Sequence, residues 1–577
     1  MSRTSPVSDA DWMAIYRRLA EDGDAEAMYV LSLWLREGRA VRRDPVTADR
    51  WLRRAAATLP AAQLEIGVRA RGDVDSPPTA SQPVARRWLR RAAEAGVPDA
   101  WRELGVMELS LPRTPGLVAS ARRMLEKALR FGDSEAGVRL AGKFKTLGAD
   151  LDEVEGWLAR SVILDDDESF ALGLLTAIRV AKPFLSRLAT QPLSTWRLLA
   201  EAGDLDAQTY LGYAYQYGQG VPREVKAAET WFERSARAGG RDARLALALV
   251  VWVHDSSVDF DGAAFWSALA AKDGDPVALF VAGWLDRWCS RPSPRKIAGW
   301  WRAAAEKGHP EAAHWLGRCL MFGRGVPKDT AAAVRWLRRA AEFGVPGAQI
   351  WYAEILDEGE FVRRDRRAAT RWLTLAAQAG SPDAQLKLGV RLHEGTGVRR
   401  DDRASTRWYR RAAASGDRFA TSNLGLCCRN GHGVRRHEGR ASVLFRRAAV
   451  VGLNGRAAWQ LSWGFDGQAG RPDDREQEVF WLRRGAALME PEALCSLGVL
   501  HHNGKRAPMD RPFAVKLYRA AAKLGNGWAH YLLGLSYRDG EGVSKDRRRA
   551  RAWFAKAAAL GVRKAIPAER VMSAKPA

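Results

Sequence analysis

Several features that commonly carry function are scarce or missing in this chain of 577 residues. No apolar run approaches the roughly 18 residues of a membrane span. The longest, Leu245 to Val253, has the length of a core helix. The first residues, MSRTSPVSDADW, hold no apolar stretch before Asp9 and Asp11, so no signal peptide is expected and the chain reads as cytoplasmic. Cysteine is rare: Cys289, Cys319, Cys427, Cys428 and Cys495. An odd number without a secretory signal argues against a disulfide framework and for reduced thiols.

Catalytic signatures are missing as well. Twin-glycine turns recur, but none completes Gly-x-Gly-x-x-Gly, none ends in Gly-Lys-Ser/Thr, and no strand pattern precedes them. His501 and His502 are adjacent and would point about 100° apart on a helix. His501 occupies the position of Tyr215 and Tyr537 in their units, which reads as a packing substitution. His432 and His437 lie just after Cys427-Cys428, yet the spacing fits no standard metal-ligand pattern. No Ser or Cys stands in a nucleophile motif. The expectation is a protein without catalytic residues, cofactor or metal.

What the chain does have is positive charge, unevenly placed. Residues 1–300 carry 41 Lys+Arg against 40 Asp+Glu, and residues 301–577 carry 50 against 27, so nearly all of the net +24 lies in the second part. Such a bias favours an acidic partner.

That basic part also holds the clearest pattern. From His309 to Gly344 the chain reads HPEAAHWLGRCLMFGRGVPKDTAAAVRWLRRAAEFG, and variants of this sentence close at Gly380, Gly416 and Gly452, each 36 residues on. A fixed period in this range is the mark of a stacked repeat array. Ala312, Leu316 and Leu320 form an apolar stripe on a first helix. Gly323 and Gly325 end it, Val326 and Pro327 shape the turn, and Asp329 is placed to cap a second helix. Asp365, Asp401 and Asp546 occupy the same place. Ala333, Trp336 and Ala340 form the second stripe, with the Trp expected in the groove between hairpins. Neither helix can bury its stripe alone, so each hairpin must stack on its neighbours.

The period divides the chain into a capping helix (1–23), repeats (24–96), a degenerate region (97–203), partly degenerate repeats (204–308), four clean repeats (309–452), further repeats (453–561) and a basic tail (562–577). An acidic cluster, Asp165 to Glu168, and the Pro/Ser-rich turn Ser76 to Pro83 interrupt it.

The Ala-x-x-x-Leu-Gly elements at 312–317, 384–389 and 420–425 resemble the Sel-1-like repeat, a relative of the tetratricopeptide repeat. So do the Gly-x-Gly-Val turns at 323–326, 395–398, 431–434 and 540–543, and the Trp-x-x-x-Ala-Ala-x-x-Gly endings. The resemblance implies an all-α fold, a right-handed α/α superhelix or solenoid of about fifteen hairpins, whose first helices line a concave surface. It further implies a non-enzymatic scaffold or adaptor for other proteins, of the kind found in bacterial signalling, envelope assembly or effector–immunity systems.

On that concave face the positions three and six after the first-helix Ala should point away from the stack. They are Trp315 with Arg318, Trp351 with Glu354, Lys387 with Val390, and Asn423 with Leu426. Variation on a fixed template suits a recognition surface, and Trp and Arg are favoured interface anchors. Arginine pairs form a second candidate, a basic edge: Arg338-Arg339, Arg363-Arg364, Arg399-Arg400, Arg410-Arg411, Arg435-Arg436 and Arg446-Arg447. They read either as a solvated, solubilising face or as an electrostatic seat. The expected partner is a protein with an acidic surface, bound by a monomer. Nucleic acid or an anionic surface is the alternative, weakened because stacking aromatics interleaved with arginines, which single strands require, are not apparent.

Overall fold

A side chain that is missing sets the geometry of each hairpin. In the computed structural model the glycine of each Leu-Gly pair faces the second helix so closely that a Cβ would collide with it. A Cβ on Gly317 would lie 2.7 Å from Leu337, on Gly389 2.6 Å from Tyr409, on Gly425 2.8 Å from Phe445, and on Gly534 2.5 Å from Phe554. The large residue of the second helix therefore rests directly on the backbone of the first.

This places the buried stripe one residue from where the sequence pattern suggests. Ala333, Leu337 and Ala340 are fully buried, and Trp336 is only half-buried. The residue after the tryptophan fills the core. The first stripe, Ala312, Leu316 and Leu320, is buried as expected.

The structure describes residues 9–38, 41–72, 82–111, 114–143, 147–164, 170–188, 190–254, 259–462, 474–504 and 507–565. The residues before Asp9, most of the Ser76–Pro83 turn, the Asp165–Glu168 cluster and the tail beyond 565 lie outside them. Among the described residues there are thirty-one α-helices and no strand. The first helix, Asp9–Glu21, precedes the repeats; most of the others pair in succession as hairpins, while Phe170–Leu188 packs chiefly on Leu151–Leu164 and Leu205–Tyr217. The protein is an all-α solenoid.

Both glycines of the twin-glycine turn are required. Gly323 ends helix Pro310–Phe322 at φ 69°, donating its N–H to Cys319 O. Gly325, at φ 74°, lies against the chain that starts the preceding second helix, where a Cβ would come within 1.9 Å of Pro294 O. Gly397 meets Arg366 O and Gly542 meets Arg511 O in the same way. The turn thus keys each hairpin onto the one before it. It closes when the Asp329 N–H donates to Leu320 O at 3.0 Å. The Asp329 carboxylate then accepts from Ala332 N at 2.9 Å, and Asp365, Asp401 and Asp546 repeat this cap. In one repeat His437 substitutes, its Nδ1 accepting from Arg440 N at 3.1 Å.

Glutamines supply a polar link between repeats. Gln349 Nε2 donates to Ala341 O at 3.2 Å and Gln385 Nε2 to Ala377 O at 3.1 Å. Each takes up a carbonyl that the end of the previous helix leaves without an intrahelical partner.

The chain divides into two units. One comprises residues 108–415, and the other joins residues 1–107 with residues 416–577. The first has a continuous core from Ala141 to Ala404. In the second, one core contains both Trp12 to Ala62 and Leu482 to Leu533. Helix Asp9–Glu21 therefore does more than cap the first repeat. Ile15 and Leu19 are fully buried in that shared core.

The glycine seat can be tested by Gly389→Ala. Helix propensity alone favours alanine by about 1 kcal/mol. The collision with Tyr409 costs about 1–3 kcal/mol by overpacking, and should win. The guanidinium denaturation midpoint should fall, and Tyr409→Leu in the same background should recover part of the loss.

Candidate functional site

The sequence-selected residues of the first helices lie on Pro310–Phe322, Pro346–Glu358, Pro382–Glu394 and Arg418–Asn430. Trp315, Arg318, Trp351, Glu354, Lys387 and Asn423 are all half-buried. Across residues 315–387 these side chains form two contacting groups. The Arg318 guanidinium lies 4.7 Å from the Trp315 ring and 5.5 Å from the Trp351 ring, bridging two repeats. Lys387 Nζ pairs with Glu354 at 2.5 Å and with Asp383 at 2.8 Å. Burial works against the Lys387 charge, but the two carboxylates more than offset it and leave its pKa raised. Asn423 belongs to the other unit.

The strip extends toward the N-terminus through residues that sequence reasoning missed. Arg287 stacks on Trp315 at 4.8 Å and approaches Trp288 and Trp301 at 6.0 Å each. The Trp301 and Trp315 rings are 5.5 Å apart. Exposed Phe322 meets the Trp351 ring edge-on at 5.8 Å, and Arg324 lies over Phe322 at 5.6 Å. Arginines and aromatics therefore alternate along the first helices of residues 276–358 and the turns that follow them, with buried Trp301 of the intervening second helix packed beneath. The signal was legible in Trp284-Leu-Asp-Arg-Trp288, which sits in a weak repeat outside the clean template.

The twelve arginines of the basic edge are all exposed. They divide by structural use. The second arginine of a Trp-x-x-Arg element folds back over its own tryptophan: Arg339 over Trp336 at 5.4 Å and Arg411 over Trp408 at 4.6 Å. The same contact joins Arg54 to Trp51, Arg91 to Trp88, Arg234 to Trp231 and Lys556 to Trp553. One helical turn brings residues i and i+3 together, and the guanidinium covers the ring face that packing leaves open. Arg338 pairs with Glu342 at 2.8 Å, Arg400 with Asp402 at 2.9 Å, and Arg364 donates to Glu358 O at 2.8 Å. Arg363, Arg399, Arg410, Arg435, Arg436, Arg446 and Arg447 make up the remainder.

The buried cysteines Cys319, Cys427, Cys428 and Cys495, and half-buried Cys289, form no disulfide. His501 is fully buried, with Nδ1 3.0 Å from Pro508 O. Among the described residues no helix is long and apolar enough to cross a membrane.

Two adjacent arginines thus have different expected roles. Arg411→Ala should cost about 0.5–1 kcal/mol of stability through the lost Trp408 contact. Arg410→Ala should be close to neutral in the same denaturation experiment.

A family model described as the Sel1 repeat matches residues 25–57, 60–97, 205–240, 310–344, 346–381, 382–417, 419–449, 491–526 and 529–562. No curated protein matches the chain. Among solved structures, a protective antigen of uropathogenic Escherichia coli that displays an SLR fold is 25% identical. The alignment covers 66% of this chain and 90% of that one, with TM-score 0.47. A Sel1 repeat protein from Oxalobacter formigenes is 24% identical over 68% of this chain and 93% of its own, with TM-score 0.34. An immunity protein from Pseudomonas aeruginosa is 21% identical over 35% of this chain and 76% of its own, with TM-score 0.22. The nine matched segments cover more than half of the sequence, and the chain belongs to the Sel1 repeat family, whose members are generally protein-interaction scaffolds.

Proposed function

We propose that this chain is a non-catalytic scaffold that binds an acidic protein along the arginine–tryptophan strip of its first helices, between Arg287 and Lys387. The observation that carries the reading is the alternation of Arg287, Trp315, Arg318 and Trp351 across three successive repeats. Stacking on the rings fixes the orientation of both guanidinium planes before a partner arrives. A strip ordered before binding loses little side-chain entropy when a partner arrives. Tryptophan and arginine are also the residues that dominate interface energies. The surplus of positive charge in residues 301–415, 21 Lys+Arg against 13 Asp+Glu, would steer an acidic surface toward the strip. The protein acts as a monomer in the cytoplasm, where its five thiols stay reduced.

The test is capture of partners from the native cells by the intact protein and by an Arg287→Glu/Arg318→Glu variant, with and without nuclease. Circular dichroism and denaturation confirm that the variant is folded. The reading predicts that a protein partner retained after nuclease treatment is lost by the variant, with affinity for the purified partner reduced about tenfold or more. Identical partners for both forms would reject the strip. Partners that disappear only with nuclease would replace this reading with nucleic-acid binding.

A further inference from the structure

In most repeats the Trp-x-x-Arg column of the second helix is open, with Trp336 half-buried and Arg339 exposed. In two repeats near the C-terminus the same column is covered. On helix Asp474–Ala487, Trp481 and Arg484 take the places of Trp336 and Arg339 and are 3% and 2% exposed. On helix Arg511–Lys523 the places are taken by Leu517 and Ala520, both 0% exposed. Within the same unit, the N-terminal pair of helices Asp9–Glu21 and Ala25–Glu37 covers Arg484, Leu517 and Ala520, whereas Trp481 packs into a separate core with Phe445, Ala457 and Leu461.

The contact is complementary in two ways. Trp12, Ile15, Tyr16 and Leu19 supply apolar surface to the shared core. The turn between the two helices supplies carboxylates. Glu26 pairs with Arg484 with both side chains almost fully buried, and Asp22 Oδ2 lies 3.5 Å from Arg483. Arg483 also donates to Asp22 O at 3.0 Å. Asp24 caps Ala25–Glu37 by accepting from Ala27 N at 2.7 Å. The acidic turn thus serves its own helix and the arginine pair at once.

We propose that this covered column is a docking face for a helix that begins with carboxylates, and that residues 9–37 are its resident occupant in cis, displaceable by a partner segment of the same chemistry. A face complementary to an acidic first turn suits an acidic protein. It is separate from the first-helix strip and does not depend on the reading of that strip.

The repeat architecture keeps the face folded without the occupant. Each hairpin of a stacked array is stabilised by its sequence neighbours. Helices Asp474–Ala487 and Arg511–Lys523 each have their own hairpin partner and adjoining repeats. The contact from Asp22 to Arg483 bridges 461 positions and adds to that set. Its polar part is also expensive, because burying two charges offsets much of their attraction. Burial pushes the Glu26 carboxyl up to about 8 and Asp24 up to about 6, against the opposing pull of Arg484. The other charged or titratable groups around them are Arg18, Asp22, Arg483, His501 and Asp510. Burial pulls His501 down, toward its neutral form. A carboxyl raised in the docked state favours docking below its free value, 4.5 for Glu26, and loses that contribution as pH rises through about 8. Docking should therefore loosen on the alkaline side.

Hydrogen exchange of the full-length chain, read by mass spectrometry, tests the proposal. Glu26→Arg should speed exchange roughly tenfold or more in residues 9–37 and 511–523 and leave residues 330–342 unchanged. Adding Arg484→Glu should restore protection. The milder Glu26→Gln should move the same segments less. A synthetic peptide spanning residues 9–37 should bind the Glu26→Arg chain and not the wild type, whose face is filled. Three results would overturn the proposal: loss of the whole folded state in both Glu26 variants, equal peptide binding by wild type and variant, or an N-terminally swapped dimer in light scattering.

Discussion

Everything in this molecule depends on how close two helices of a hairpin can come. The glycine of the Leu-Gly pair removes the one side chain that would hold them apart, and a Leu, Tyr or Phe of the second helix occupies the space. That approach fixes the hairpin angle, and the angle fixes where the next turn can rest. The second glycine of each twin-glycine turn then lies against the start of the preceding second helix. Because protein interiors are close-packed, a small error at the glycine would be carried into each of these contacts. The small residues of the repeat are thus its most constrained positions, and the large ones can interchange among Leu, Tyr and Phe.

Displacing the tryptophan from the core to its margin gives the arginine pairs their meaning. With Leu337 in the core, Trp336 presents a ring face that Arg339 covers. Two of the twelve arginines of the apparent basic edge, Arg339 and Arg411, are therefore attached to packing. The same ring–guanidinium chemistry, moved to the first helices and linked between repeats by Arg287 and Arg318, becomes a candidate recognition strip. One residue pair serves to finish a surface in the first case and to present one in the second.

The fold was legible because the 36-residue period, the twin glycines and the capping aspartates each follow local rules. Other features were hidden for physical reasons. Tryptophan is the largest apolar side chain, so pattern reasoning assigned Trp336 to the core, and only the shape of the Gly317 seat shows that Leu337 fits there. The strip at 284–301 was missed because it lies in weak repeats, where no template marks the positions to compare. Interleaved aromatics and arginines lie along the first helices, whereas the tryptophans that the repeat template marks stand on the second. The burial of the N-terminal helix against residues 482–533 was illegible from periodicity, which reports neighbours alone. Its traces were the apolar Trp12, Ile15 and Leu19, more than a simple cap needs, and the lost arginine pair at Arg519-Ala520.

The keying of each turn onto the preceding helix has an evolutionary consequence. Gly325 reaches back to Pro294, Gly397 to Arg366 and Gly542 to Arg511, always 31 positions and always less than one period. The Leu-Gly seat and the glutamine link are shorter still. A segment one period long, cut at any phase and duplicated in tandem, therefore carries every instruction for its own attachment. Growth of such a gene by unequal crossing-over needs no matching of breakpoints to helix ends. The four equal-length sentences from 309 to 452, which share one template, have the form that this mode of lengthening would leave.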